Sequence, residues 1–159
     1  MNVMTPAVDK APLDIGSIAS ATSEACISTR VRQLSRIVTR VYDDAMRPHK
    51  ITASQFTLLT QLANQDGITA AEIGSTLDIE KSTLSRNLKR LLALGHIKMD
   101  PPAGRRGRGL HLTPGGKAVI QDAFPLWQAA QKRAIEVMGL ESRRTLDDLL
   151  TQAERLVVP

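Results

Sequence analysis

At 159 residues, with 42% hydrophobic and 23% charged side chains, the chain has enough sequence for one domain whose core needs no metal or disulfide staple. Aromatic residues make up only 3%, which disfavours recognition of RNA or single strands by base stacking, and the single cysteine, Cys26, excludes an internal disulfide and a cysteine-based zinc site. The net charge of +5 is concentrated: eight basic residues and one acid, Asp100, lie between Lys81 and Arg108, a local +7, while the other 13 basic and 15 acidic residues carry −2. That footprint fits a polyanionic partner. No apolar run of about 20 residues is present to span a membrane, and Met1 to Ser17 has no basic segment followed by an apolar one, so a cytoplasmic protein is expected.

Residues 1–19 read as a disordered N-terminal arm. From about Ser20 to Arg47, Ile27, Val31, Leu34, Val38, Val41 and Ala45 recur at three- and four-residue steps and predict one long helix, stopped by Pro48. Its length exceeds what a small core can cover, which suggests packing against a second copy. Thr52–Gln55 and Thr69–Glu72 are capping boxes that open two further helices. A fourth is predicted from Ile79 to Leu94, ended by Gly95. Ile97–Met99 and Leu110–Leu112 predict two short strands, separated by a loop rich in proline, glycine and arginine. Thr113 and Pro114 open a helix to Met138 that Pro125 is expected to kink, and a final helix is predicted from Glu141 to Leu156.

The order helix, helix, tight turn, helix, hairpin describes a helix-turn-helix with a wing. On the Ile79–Leu94 helix, Leu84, Leu88, Leu91 and Leu92 share one arc. Arg86 lies nearly opposite, with Ser82, Lys89 and Arg90 near it and Thr83 and Ser85 flanking. Short hydroxyls permit close approach to base edges, arginine can donate two bonds to guanine, and the other cations suit phosphates. An ordinary amphipathic helix would mix glutamates among its cations, yet Lys81 to Leu94 holds no acid. Arg105, Arg106 and Arg108, set among glycines in the loop, suit a minor groove. The glycine and lysine patterns of nucleotide-binding loops are absent.

Several segments resemble the MarR family of winged-helix regulators: Tyr42-Asp43, Arg47 to Thr52, Gln55 to Leu59, Ser82 to Leu88, Gly95-His96-Ile97, Leu112 to Gly116 and Pro125 to Gln131. The resemblance covers about Cys26 to Gly139. It implies a mainly α fold with a small β-hairpin: a winged helix-turn-helix over 51–113, flanked by dimerisation helices over 20–50 and 114–159. It further implies a homodimer that binds palindromic promoter DNA, most often as a repressor, and that releases it when a small aromatic or anionic effector binds. The family wing usually carries an Asp-x-Arg whose aspartate position here is Gly104 and whose arginine is Arg106; Asp100 is the nearest acid able to substitute.

Arg36, His49, Phe56 and Trp127 are the candidate effector-binding residues, with Trp127 equally suited to a dimer core. Cys26 has two readings. Near a helix N-terminus its thiol could be activated as in one-cysteine oxidant-sensing repressors of this family, although it sits about two residues from the expected position; the favoured reading is a buried small apolar residue. His49, His96 and His111 are not spaced as metal ligands, and no cofactor is expected. No nucleophile–base pair or carboxylate cluster argues for an enzyme. A non-specific architectural DNA-binding protein is the remaining alternative, and it would spread its basic residues over the whole surface.

Overall fold

The computed structural model describes residues 14–101 and 107–156. These fall into two units, the first ending at Ile37 and the second starting at Val38. The arm expected over 1–19 lies outside the described residues as far as residue 13. From Ile15 onward the chain is already helical, because the Asp14 side chain accepts the Ser17 N–H at 3.1 Å and caps α1 (Ile15–Ala25).

The single long helix expected from Ser20 is instead two. α1 ends at Cys26, whose ψ of 107° is extended, and α2 (Ile27–Met46) follows. Thr22 and Ser23 direct their hydroxyls onto the carbonyls of Ile18 and Ser20, which competes with the helical ladder just before the break. α1 buries none of its residues, and Ile27, Val31, Leu34 and Ile37 on α2 are exposed.

In the second unit, α2 closes into a single 3₁₀ turn at Arg47–His49. There follow α3 (Ala53–Asn64), α4 (Ala70–Thr76), α5 (Lys81–Ala93), β1 (Ile97–Met99), β2 (Leu110–Leu112), α6 (Pro114–Met138) and α7 (Ser142–Glu154). Both predicted capping boxes form with reciprocal bonds. The Asp43 side chain accepts the Ala53 N–H at 2.7 Å and so adds a second cap to α3. β1 and β2 pair antiparallel with Ile97 opposite Leu112, Lys98 opposite His111 and Met99 opposite Leu110.

The core is one cluster in which Met46, Leu58, Leu59, Leu62, Ile73, Leu91 and Leu110 are fully buried. The apolar faces of α3, α4 and α5 meet there, with the hairpin and α6 closing it. Gly116 lets α6 start close against the Gly95-His96 turn: a Cβ there would lie 2.0 Å from the His96 carbonyl oxygen. α6 runs unbroken through Pro125 to Met138. The carbonyl that loses its partner belongs to Gln121, which is exposed, so water can satisfy it.

Candidate nucleic-acid interface

The leucine seam decides how α5 is presented. Leu84, Leu88 and Leu91 are buried, so Ser82, Ser85, Arg86, Lys89 and Arg90 are left exposed and Thr83 half-buried at the edge. Arg86 donates to the Thr83 hydroxyl at 3.3 Å, which pre-orients its guanidinium along the helix. Sequence reasoning missed the cap of this helix. The Glu80 carboxylate accepts the N–H groups of Ser82 at 2.9 Å and Thr83 at 3.1 Å, and also the Ser82 hydroxyl. These bonds, the Ser82 hydroxyl first, hold the Glu80 carboxyl below its ordinary range. The Ser82 hydroxyl proton is therefore committed to the cap, and only its lone pairs face outward. The signal was present as an acid one residue before the helix.

A second missed contact fixes the orientation of α5. Gln55, 7% exposed, uses its Oε1 to accept the Thr52 N–H in the α3 capping box, while its Nε2 donates to Asn87 Oδ1 at 3.3 Å. One buried side chain thus ties the start of α3 to the middle of α5.

Arg108 and Lys98 are exposed on the hairpin, and the Arg108 Nε donates to the Asp100 carbonyl. Arg105 and Arg106, and the wing tip around Gly104, lie outside the described residues. Between α4, α5 and the hairpin is an open cavity of about 860 Å³. Ala70, Gly74, Leu84, Leu88 and Met99 give it an apolar floor, and Lys81, Lys89 and Arg108 surround it with positive charge.

The four candidate effector residues do not behave alike. Phe56 is 4% exposed, and its ring is spent on the core. His49 is half-buried in the 3₁₀ turn, and Arg36 is exposed on α2. Trp127 stacks on Phe124, with ring centroids 5.9 Å apart, and lines an open cavity of about 530 Å³ with Tyr42, Gln131, Ile135 and Leu146. The Tyr42 hydroxyl donates to Gln131 Oε1. Cys26, favoured as a buried apolar residue, is half-buried between two helices. Bonds from the Thr29 hydroxyl and amide hold its thiol below the ordinary range.

Comparison with known proteins gives the family. The MarR family pattern matches residues 49–107, which hold α3 to α5 and the first strand. The transcriptional regulator MosR of M. tuberculosis superposes with a TM-score of 0.73 at 30% identity, covering 83% of this chain and 98% of MosR. The chain belongs to the MarR family. A second structure of MosR, in complex with DNA, superposes with a TM-score of 0.72 at 28% identity, over 84% of this chain and 99% of that one. The multiple antibiotic resistance protein MarR of Salmonella typhimurium is 35% identical over 83 residues, 52% of this chain. That match spans 58% of the Salmonella protein's length. The winged helix-turn-helix is thus the fold of this MarR-family chain. No helix among its described residues is long and apolar enough to cross a membrane.

Proposed function

We propose that the chain is a homodimeric, sequence-specific DNA-binding transcriptional regulator that acts as a repressor at palindromic operators and is released by a small-molecule effector. The observation that carries the reading is the outer face of α5. Its exposed residues are hydroxyls and cations, opposite a buried leucine seam, and the Arg108 side of the hairpin flanks them across the basic-edged cavity. In this reading α5 enters the major groove, with Arg86, Ser82, Thr83 and Ser85 toward bases or nearby phosphates and Lys89 and Arg90 on the backbone. Arg105, Arg106 and Arg108 reach toward the minor groove. The DNA complex of a relative at 28% identity supports it.

Dimerisation is supported by apolar side chains left in solvent: Ile27, Val31 and Ile37 on α2, and Leu149 and Leu150 on α7, each 55% exposed or more. Two-fold symmetry then sets the recognition helices about 34–36 Å apart, one turn of DNA. For effector release, the Trp127 cavity is the candidate, because Tyr42, Gln131 and Arg143 place polar and charged groups beside the apolar Trp127, Ile135 and Leu146.

The deciding experiment is fluorescence anisotropy at physiological salt with a duplex selected by the protein from a random pool, against its scrambled counterpart. Arg86→Ala is expected to weaken binding to the selected duplex by about 1–3 kcal/mol and to relax its sequence preference. Equal affinity of the wild type for both duplexes overturns sequence-specific regulation in favour of an architectural role. A second reading of release has an observation behind it, the half-buried Cys26 thiol whose pKa is held below the ordinary range by its bonds with Thr29. If peroxide dissociates the wild-type complex and not Cys26→Ser, the protein is a one-cysteine oxidant sensor; equal behaviour supports the ligand.

A further inference from the structure

At the base of the hairpin, His111 sits between two carboxylates from different parts of the chain. Its Nδ1 is 3.0 Å from Asp66 Oδ1, in the loop after α3, and its Nε2 is 3.0 Å from Asp100 Oδ1, just after β1. A neutral imidazole has one N–H and would turn a lone pair on one of these carboxylates; only the imidazolium donates to both. The other charged groups facing the ring are Lys98, opposite it in the strand register, and Lys117 of α6, which line the same small cavity and oppose its protonation. Direct bonds from Asp100 and then Asp66 outweigh the partial desolvation of the ring and raise its pKa above that of an ordinary histidine.

The surroundings are built to hold this bridge. Gly109 passes so close that a Cβ would lie 2.5 Å from Asp100 Oδ2 and 3.0 Å from the Gly67 carbonyl oxygen. The Asp100 N–H donates to the Gly109 carbonyl at 2.9 Å, and the Asp100 carbonyl accepts from Arg108 Nε. On the other side the Gly67 N–H donates to the Leu110 carbonyl and the Leu110 N–H to the Ile68 carbonyl, both at 3.0 Å. The bridge therefore fastens the loop that precedes α4 to both strand ends that carry Arg108.

We propose that His111 is a positioning residue for the DNA-facing side of the wing: bridging Asp66 and Asp100, its imidazolium holds the Asp100–Arg108 pair against the reading head, and DNA binding weakens when the ring loses its proton. The proposal rests on the DNA-binding reading above. Its sign follows from linkage. A histidine pKa raised in the folded state contributes fully below about pH 6.5 and is lost as pH rises through the raised value. The Asp66 and Asp100 side chains are 75% and 52% exposed, so the effect is a tuning rather than a switch.

The test uses the full chain in two measurements. Nitrogen-resolved NMR titration follows the three histidines; the expected result is a His111 midpoint above the ordinary value that falls in Asp66→Asn and in Asp100→Asn. Anisotropy with the selected duplex, at constant ionic strength from pH 5.5 to 8.5, is expected to show about a fivefold loss of affinity in the wild type as pH rises. His111→Gln is expected to bind at the weaker level throughout, with thermal unfolding checked to show that it is folded. A His111 midpoint at or below 6.5, a flat wild-type profile, or an unchanged slope in His111→Gln overturns the proposal. Absence of binding to any duplex at any pH overturns the DNA-binding reading and the wing role with it, while the NMR titration still decides whether the bridge exists.

Discussion

Gln55→Met tests whether the orientation of α5 is set by a single buried amide. Methionine has nearly the length and shape of glutamine, so packing in the α3–α5 seam is largely kept. Two bonds are removed. The Thr52 N–H loses its acceptor at 3.1 Å, at the part-buried start of α3, and Asn87 Oδ1 loses its donor at 3.3 Å. Each such bond is worth about 0.5–1.5 kcal/mol net. The second is long, and Thr52 is exposed and Asn87 half-buried, so water can reach both sites and both bonds belong in the lower half of that range. The expected destabilisation is about 1–2 kcal/mol, read as a shift of the urea midpoint at constant slope. A double-mutant cycle with Asn87→Ala isolates the inter-helix bond, with an expected coupling of about 0.5–1 kcal/mol. Because the same bond holds α5, the helix proposed to read DNA, Gln55→Met is also expected to weaken binding to the selected duplex although its side chain is buried. Coupling within about 0.3 kcal/mol of zero, with unchanged DNA affinity, refutes the reasoning.

Replacing Leu146 and Leu150 together by aspartate is expected to lower the mass seen by light scattering from dimer to monomer at micromolar concentration. DNA affinity should fall with it, since two reading heads lose their fixed spacing; an unchanged dimer mass would place the interface elsewhere. The pKa of His96 is lowered by burial, so its stabilising contribution is present above about pH 6.5 and lost as pH falls through the depressed folded value. His96→Gln is accordingly expected to flatten the acid side of the stability curve between those limits, as measured by urea midpoints, and an unchanged curve would show that the ring is not kept neutral by its surroundings.

What the sequence determined by itself was whatever acts within about four residues. The capping boxes at Thr52 and Thr69, the Thr113-Pro114 start, the Gly95 stop and the leucine seam of α5 are all local patterns, and the structure realises each of them. The same locality made the outer face of α5 legible, because helix periodicity alone puts Arg86 opposite Leu84, Leu88 and Leu91. Competition between hydroxyl back-bonding and the helical ladder is also local, but its outcome at Cys26 has no simple pattern, and apolar spacing alone predicts one unbroken helix there. Tertiary structure alone decided the rest. Phe56 went to the core rather than to a ligand cavity, Asp43 capped a helix ten residues away, Gln55 reached Asn87, and Asp66 met His111 across 45 positions of sequence. A polar side chain carries no mark of which distant partner will satisfy it. That choice is made only when burial of the apolar faces brings the segments together and each enclosed donor or acceptor must find a partner within reach.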